Sequence, residues 1–324
     1  MTAYLVTILI LASISAIVAL GLNIQWGVAG LVNFGVVGFY SIGAYTTAIV
    51  ALAGGGAWGG LAAGIAVSAA LSAAIALLTV RLTDDYLAIV ALGFAEVVRL
   101  VLLNEAWLTG GPLGISGIPR PLTGLVSETN YPLVLLALIV LALTAALVVS
   151  EALVRSPFGR ALRAVRDDDT VAAALGKNAL VLRVKAFAAG GAIIGLAGGL
   201  HAFYITYIDP SQFTSIVTAY AFMAVIAGGR GSNIGLIIGA GSIMALLEAT
   251  RFLKDFIPFL DGTKLAAFRL AMIGAGIVLL LIFRPQGAMA EPRLSVRALP
   301  RKPGGQPQVD APPSSSQKVL NHAS

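Results

Sequence analysis

Apolar runs about 20 residues long, separated by short polar or glycine-rich breaks, fill the chain between residues 4 and 283. About 20 mostly apolar residues suffice for a helix to cross a bilayer. The pattern therefore predicts an all-α protein, a polytopic transmembrane helical bundle of about nine spans, with bounds of about eight and ten. The first run, residues 4–22, has no basic residue before it and no cleavage site leading into a soluble domain, so it reads as a retained span rather than a removed signal. Further spans are expected at residues 36–53, 57–80, 86–103, 131–150, 185–204, 215–227, 234–249 and 265–283. In the span at 185–204, Gly191, Gly195 and Gly199 recur every fourth position and give a smooth ridge for close helix packing.

Two breaks fall where a simple loop is not expected. Residues 21–43 place Asn23, Gln25 and Asn33 among glycines in an apolar surrounding, and Ser41 and Tyr45 continue the polar line into the next helix. Irregular backbone at membrane depth is tolerated only where protein buries it or where it borders a wet cavity. Residues 21–35 thus read as a broken or re-entrant segment, with Asn23, Gln25, Asn33, Ser41 and Tyr45 as candidates to line a translocation path. A loop whose glycines serve close packing fits the same residues. The second break, GGRGSN at residues 228–233, makes the interruptions a pair, which is itself a pointer to a transport path. Glu96 and Arg99 stand three apart on one face of a span, and charges there are costly unless partnered. They are a candidate intramembrane ion pair.

The longest polar stretch, residues 151–185, carries seven Lys/Arg and four acids. Ser156-Pro157 is an N-cap followed by a proline at the first helical position, which predicts a short helix through Arg166. Asp168 or Asp169 caps a second over residues 170–175, and Gly176-Lys177 ends it. Two capped helices in one loop suggest a docking surface.

Charge then sets the orientation. With the loops at 81–85, 151–185 and 229–233 and the tail placed inside, 15 of the 21 Lys/Arg are cytoplasmic and four lie in outer loops. The C-terminus is expected inside and the N-terminus outside. The expected division is a transmembrane domain at 1–287 and a disordered cytoplasmic tail at 288–324, rich in Pro, Gly and Ser. Composition agrees: 58% of the 324 residues are hydrophobic and 11% charged, with a mean hydropathy of +0.92, a balance foreign to soluble domains. There is no cysteine and there are two histidines, His201 and His322, so neither thiolate chemistry nor a zinc cluster is expected. No cofactor or metal is expected. The net charge of +6 is spread over loops and tail rather than one soluble face, which argues against a nucleic-acid partner.

The stretch GLNIQWGVAGLVNFGVVGFYSIGAYTTAIV resembles the LivM-type permease of branched-chain amino-acid ABC importers, and the likeness continues at DYLAIVALGFAEVVRLVL, TGGPLGI, SPFGRALRAVRDDDTVAAALGKN and FRPQG. These five segments occur in the family's order and cover residues 15–287. The resemblance implies a multi-pass permease of the bacterial inner membrane, working with a second permease subunit of similar type, two ATP-binding subunits and a periplasmic solute-binding protein. It also implies that ATP hydrolysis belongs to the partners, and that Arg160, Arg163, Asp167, Asp168, Asp169, Ala172, Ala173, Leu175 and Gly176 form the segment that docks on an ATPase. Such segments often read EAA-x-x-x-G; here Ala172 and Gly176 are kept and Thr170 stands where the Glu would be. An ion-coupled carrier or channel is the alternative, motivated by Glu96, Arg99 and Glu248 in or near spans.

Overall fold

The computed structural model describes residues 2–79, 84–124, 126–128, 130–256 and isolated positions between 271 and 289. Of the expected turn at 81–85, residues 81–83 lie outside them while Asp84 and Asp85 already belong to a helix; the tail beyond 289 and most of the expected span at 265–283 also lie outside.

α1 (Thr2–Leu22) runs into a wide π-helical turn, Asn23–Val28, and the chain continues without regular structure to α2 (Val36–Val50). α3 (Gly56–Thr79) follows after Gly54 and Gly56, at φ 98° and 67°. One straight helix over the 44 apolar residues Val36–Thr79 would be about 66 Å long, twice a bilayer core. Left-handed glycines end it halfway, and α3 folds back onto α2.

α4 (Asp84–Asn104) and the short α5 (Ala106–Thr109) lead into a loop whose strand β1 (Ile115–Ser116) pairs with β2 (Tyr207–Ile208) in antiparallel register, Ile115 opposite Ile208. That ladder ties two loops at one end of the bundle. α6 (Tyr131–Arg155), α7 (Pro157–Asp167), α8 (Asp169–Ala174) and α9 (Ala179–Ile205) follow, then α10 (Ser215–Gly228) and α11 (Asn233–Phe256). The sequence predicts a turn from residue 251, yet α11 continues to Phe256; no proline or glycine interrupts it before Pro258.

The core is a sandwich of α2, α3 and α9. A Cβ on Gly43 would lie 2.4 Å from the Gly195 carbonyl oxygen, and one on Gly191 would lie 2.3 Å from the Ser72 Cβ. Backbones this close leave room for hydroxyls to bridge helices. Ser68 donates to the Phe39 carbonyl at 3.0 Å and Ser72 to the Phe187 carbonyl at 2.7 Å, bonds each worth about 0.6–2 kcal/mol in a membrane. α1 packs on α6, α9 and α11, and α10 pairs with α11.

Among the described residues six helical stretches are long and apolar enough to cross a membrane: Tyr4–Val28, Val36–Thr79, Tyr86–Asn104, Tyr131–Arg155, Ala179–Ile205 and Pro210–Gly228. The protein is an all-α, multi-pass membrane bundle.

Candidate coupling site

The polar loop after α6 is built from caps. Ser156, extended at ψ 168°, accepts from the Gly159 N–H, and Pro157 starts α7 where no N–H is needed. Gly159 is obligatory, since a Cβ there would sit 2.3 Å from the Val154 carbonyl oxygen. α7 is amphipathic and buries Gly159, Leu162 and Val165. Asp168 then caps α8, accepting from the Thr170 and Val171 N–H groups at 2.9 and 3.0 Å. The Thr170 hydroxyl, with the Val171 N–H behind it, holds the Asp168 carboxyl below the ordinary carboxylate range. α8 ends in a Schellman motif: Lys177 N–H donates to the Ala172 carbonyl and Gly176 N–H to the Ala173 carbonyl, with Gly176 at φ 75°. Asn178 caps α9 through the Val181 N–H.

This loop grips the broken segment between α1 and α2. Arg166 of α7 donates to the Gly27 carbonyl at 2.5 Å, and its side chain lies where Gly30, at φ 79°, would carry a Cβ. The π-helical turn leaves the Gly27 carbonyl available to a side chain. Asn23 fixes the same turn to the GGRGSN break, accepting from the Gly231 N–H at 2.9 Å and donating to Asn233 at 3.0 Å. Asn233 in turn donates to Glu151, at the end of α6, at 2.7 Å. Arg230 stacks its guanidinium 4.5 Å above the Trp26 ring. Deeper in, Asn33 donates to Gln25 at 2.7 Å and Gln25 donates to the Phe187 carbonyl of α9 at 3.1 Å. Near the far end of the described residues, Ala288 and Met289 donate to the carbonyls of Ala227 and Gly228, so the chain returns to this same end.

The candidate path residues therefore divide. Asn23, Gln25 and Asn33 are fully buried, bonded to protein groups, and joined through the broken segment to the coupling loop. Ser41 and Tyr45 lie apart on α2: Ser41 donates back to the Gly38 carbonyl, and Tyr45 packs 5.8 Å from the Phe213 ring with its hydroxyl unpartnered among the described residues.

Among the candidate coupling residues, Ala172 is buried while Ala173, Leu175 and Gly176 face outward, Leu175 at 74% exposure. Val171, one turn before Leu175, is 55% exposed on the same face. Arg160 donates to the Arg155 carbonyl, Asp167 meets Arg166 at 3.3 Å, Asp169 meets Arg183 at 3.3 Å, and Arg163 is half-buried. Glu96 and Arg99 pair on α4, with the Arg99 Nε 3.0 Å from both carboxylate oxygens, and Glu248 accepts from the Tyr4 hydroxyl at 2.7 Å.

Arg166, Val171, Asn233 and Glu151 complete the site, although the sequence does not single them out for it. Two of them carry a local signal: Val171 by its spacing of four from Leu175, and Asn233 by its place in the GGRGSN break.

The chain is similar to known permeases. It is 34% identical over 317 residues to the high-affinity branched-chain amino acid transport system permease protein LivM of Escherichia coli (strain K12), covering 90% of this chain and 72% of that one. A probable branched-chain amino acid transport permease protein LivM of Methanocaldococcus jannaschii is 29% identical over 218 residues, 66% of this chain and 63% of its own. The autoinducer 2 import system permease protein LsrC of Yersinia enterocolitica is 29% identical over 178 residues, 51% of this chain and 47% of its own. No solved structure matches. The profile of the branched-chain amino acid transport system permease component matches residues 4–283, and the chain belongs to that family.

Proposed function

We propose that this chain is the membrane permease subunit of an ATP-driven importer, forming the translocation path for a branched-chain amino acid or a related small polar solute. The solute arrives on a periplasmic binding protein, and two ATP-binding subunits and a second permease complete the complex in a bacterial inner membrane. The observation that carries the reading is the contact between Arg166 of the loop and the Gly27 carbonyl of the broken segment.

Closure of an ATPase pair moves whatever docks on it. The outward Val171–Leu175 face of α8 is the docking patch, and Arg160, Arg163, Asp167, Asp168, Asp169 and Ala173 surround or support it. α7 stands behind α8 as a capped lever. Its Arg166 pulls on a turn whose Asn23 and Gln25 side chains hold α9, α3 and the 231–233 turn, with Asn33 donating to Gln25. Moving that turn shifts the inner ends of the spans together, and the path bordered by Asn23, Gln25, Asn33, Ser41 and Tyr45 opens.

Nine crossings fit this scheme. α1 is one and the α2–α3 hairpin two more; α4, α6, α9 and α10 each carry the chain across once. Residues 233 and 288 both lie at the loop end, as two further crossings between them would require. The count puts the N-terminus outside and the C-terminus cytoplasmic.

The test is reconstitution of the chain with its second permease and ATPases in vesicles, with loaded binding protein outside. Uptake that requires ATP within and binding protein without is expected. Uptake by this chain alone, driven by a proton or sodium gradient, would overturn the reading. In the same vesicles, cysteines placed one at a time at Asn23, Gln25, Asn33, Ser41 and Tyr45 should react with a water-soluble thiol reagent during turnover. Labelling no faster than at Leu141, exposed on α6, with transport intact, removes these residues from the path.

A further inference from the structure

α4 crosses the membrane with a charged pair on its outer surface. One face of this helix is held by α2: Gly35 lies against the Ala91 carbonyl, Gly38 against Ala95, and Phe39 against Phe94. The opposite face bears Ile89, Gly93, Glu96, Val97 and Leu100, and nothing of this chain covers them among the described residues. Glu96 and Arg99 keep 49% and 32% of their side-chain surface exposed. At 1.5 Å per residue, Glu96 lies about 18 Å from one end of α4 and about 12 Å from the other, well inside a core about 30 Å thick. Arg99 does not extend toward the nearer end at Asn104; it turns back one helical turn to chelate Glu96. A neutralised pair still carries hydrogen-bonding groups that lipid tails cannot satisfy.

Gly93 is the second observation. A Cβ on Gly93 meets nothing within 4 Å, whereas the glycines of α2 and α9 are pressed against backbone or side chains. A glycine in mid-helix weakens the helix unless another helix needs the space. Among the described residues no helix uses it.

We infer that the Gly93–Glu96–Arg99 face of α4 is the seat of a membrane-spanning helix from the second permease subunit. That helix has a small residue opposite Gly93 and a polar or charged side chain at the depth of Glu96. The inference rests on the importer reading, which supplies the second permease. Lipid is the wrong chemistry for the charges, and a soluble ATPase or binding protein cannot reach this depth.

Because the chain contains no cysteine, Val97→Cys can carry a benzophenone as the sole thiol label on this chain, which is labelled first and then assembled with its partners in membranes. Leu141→Cys on α6, 70% exposed, is the control. Irradiation should join position 97 to a transmembrane peptide of a second permease chain, identified by mass, at least tenfold more often than position 141. The paired variant Glu96→Leu with Arg99→Leu should leave the amount of this chain in the membrane unchanged and lower the second permease co-purifying with it at least fivefold. Adducts to lipid alone at both positions, or full co-purification with the paired variant, overturn the assignment. If a second permease co-purifies while position 97 meets only lipid, the surface is wrong and the importer reading stands. If no second permease co-purifies with the unaltered chain, both fall.

Discussion

Arg166 and Gly27 are 139 positions apart in sequence and share a hydrogen bond of 2.5 Å, guanidinium to backbone carbonyl. This joins the capped loop helices to the broken segment between α1 and α2. A charge-assisted bond of this kind is worth about 1.5–3 kcal/mol. Arg166→Ala should insert at normal levels yet reduce transport roughly tenfold or more, with stimulation of the ATPases by loaded binding protein reduced in parallel. Arg166→Lys keeps the charge but lacks the planar fork, and should recover part of the loss. Normal uptake by Arg166→Ala, measured at matched abundance, would remove Arg166 from the coupling route.

Gly176 and Ala173 separate shape from contact. Gly176 holds φ 75° with nothing near its missing side chain. Gly176→Val therefore acts through backbone strain, about 1–2 kcal/mol for a residue forced left-handed, and should loosen the end of α8. Ala173→Trp leaves the backbone alone and obstructs docking. Both should uncouple ATP hydrolysis from uptake at unchanged expression. Transport by both at the unaltered rate would make this loop a linker that sets topology only.

The cap at Asp168 should make α8 sensitive to acid. Its carboxyl is held below the ordinary value by the Thr170 hydroxyl and the Val171 N–H, so the folded state favours the anion. The stabilisation is fully present above the ordinary carboxylate pKa, near 4, and is lost as pH falls through the lower folded value. Amide exchange at Thr170 and Val171, corrected for intrinsic rate, should show protection falling below about pH 4. Asp168→Asn should flatten that dependence. An unchanged profile in the variant would mean another group titrates.

Two glycine substitutions should move stability in opposite directions. Gly43→Ala pushes a methyl into the Gly195 backbone and should cost about 1–3 kcal/mol as overpacking. Gly59→Ala, where nothing lies within 4 Å of the new methyl, should gain about 0.4–1 kcal/mol from the stiffer unfolded chain. Thermal unfolding in detergent, followed by loss of monodisperse protein, reads both. A stable Gly43→Ala would mean that α2 and α9 are free to slide apart.

What is legible in the sequence is what local chemistry decides. Ser156-Pro157, Asp168 and Gly176 announce the ends of α7 and α8 because caps act over three or four residues. The glycine ridge on α9 shows its packing face for the same reason. The partner of Arg166 is not legible, since seven basic residues share that loop and none carries a mark for a carbonyl 139 positions away. Strands β1 and β2 are two residues each, too short for alternation to register. The broken segment is visible as polar residues among glycines, but its bonding to α9 and to the 231–233 turn is a matter of tertiary distance.

The glycine-lined core also has a history in time. The α2–α3 hairpin is complete at Thr79 and α9 begins at Ala179, so 100 residues of synthesis separate them. At about 5–20 residues per second the ribosome needs roughly 5–20 s to deliver the third helix. Throughout that interval Ser72 has no Phe187 carbonyl to bond, and the groove at Gly43 and Gly64 lies open to whichever helix drifts by. α4 and α6 emerge first, and neither carries the glycines four apart that let α9 approach so closely. The ridge of Gly191, Gly195 and Gly199 thus works as a key as well as a packing surface: it keeps the slot reserved, during assembly, for a helix that has not yet been made.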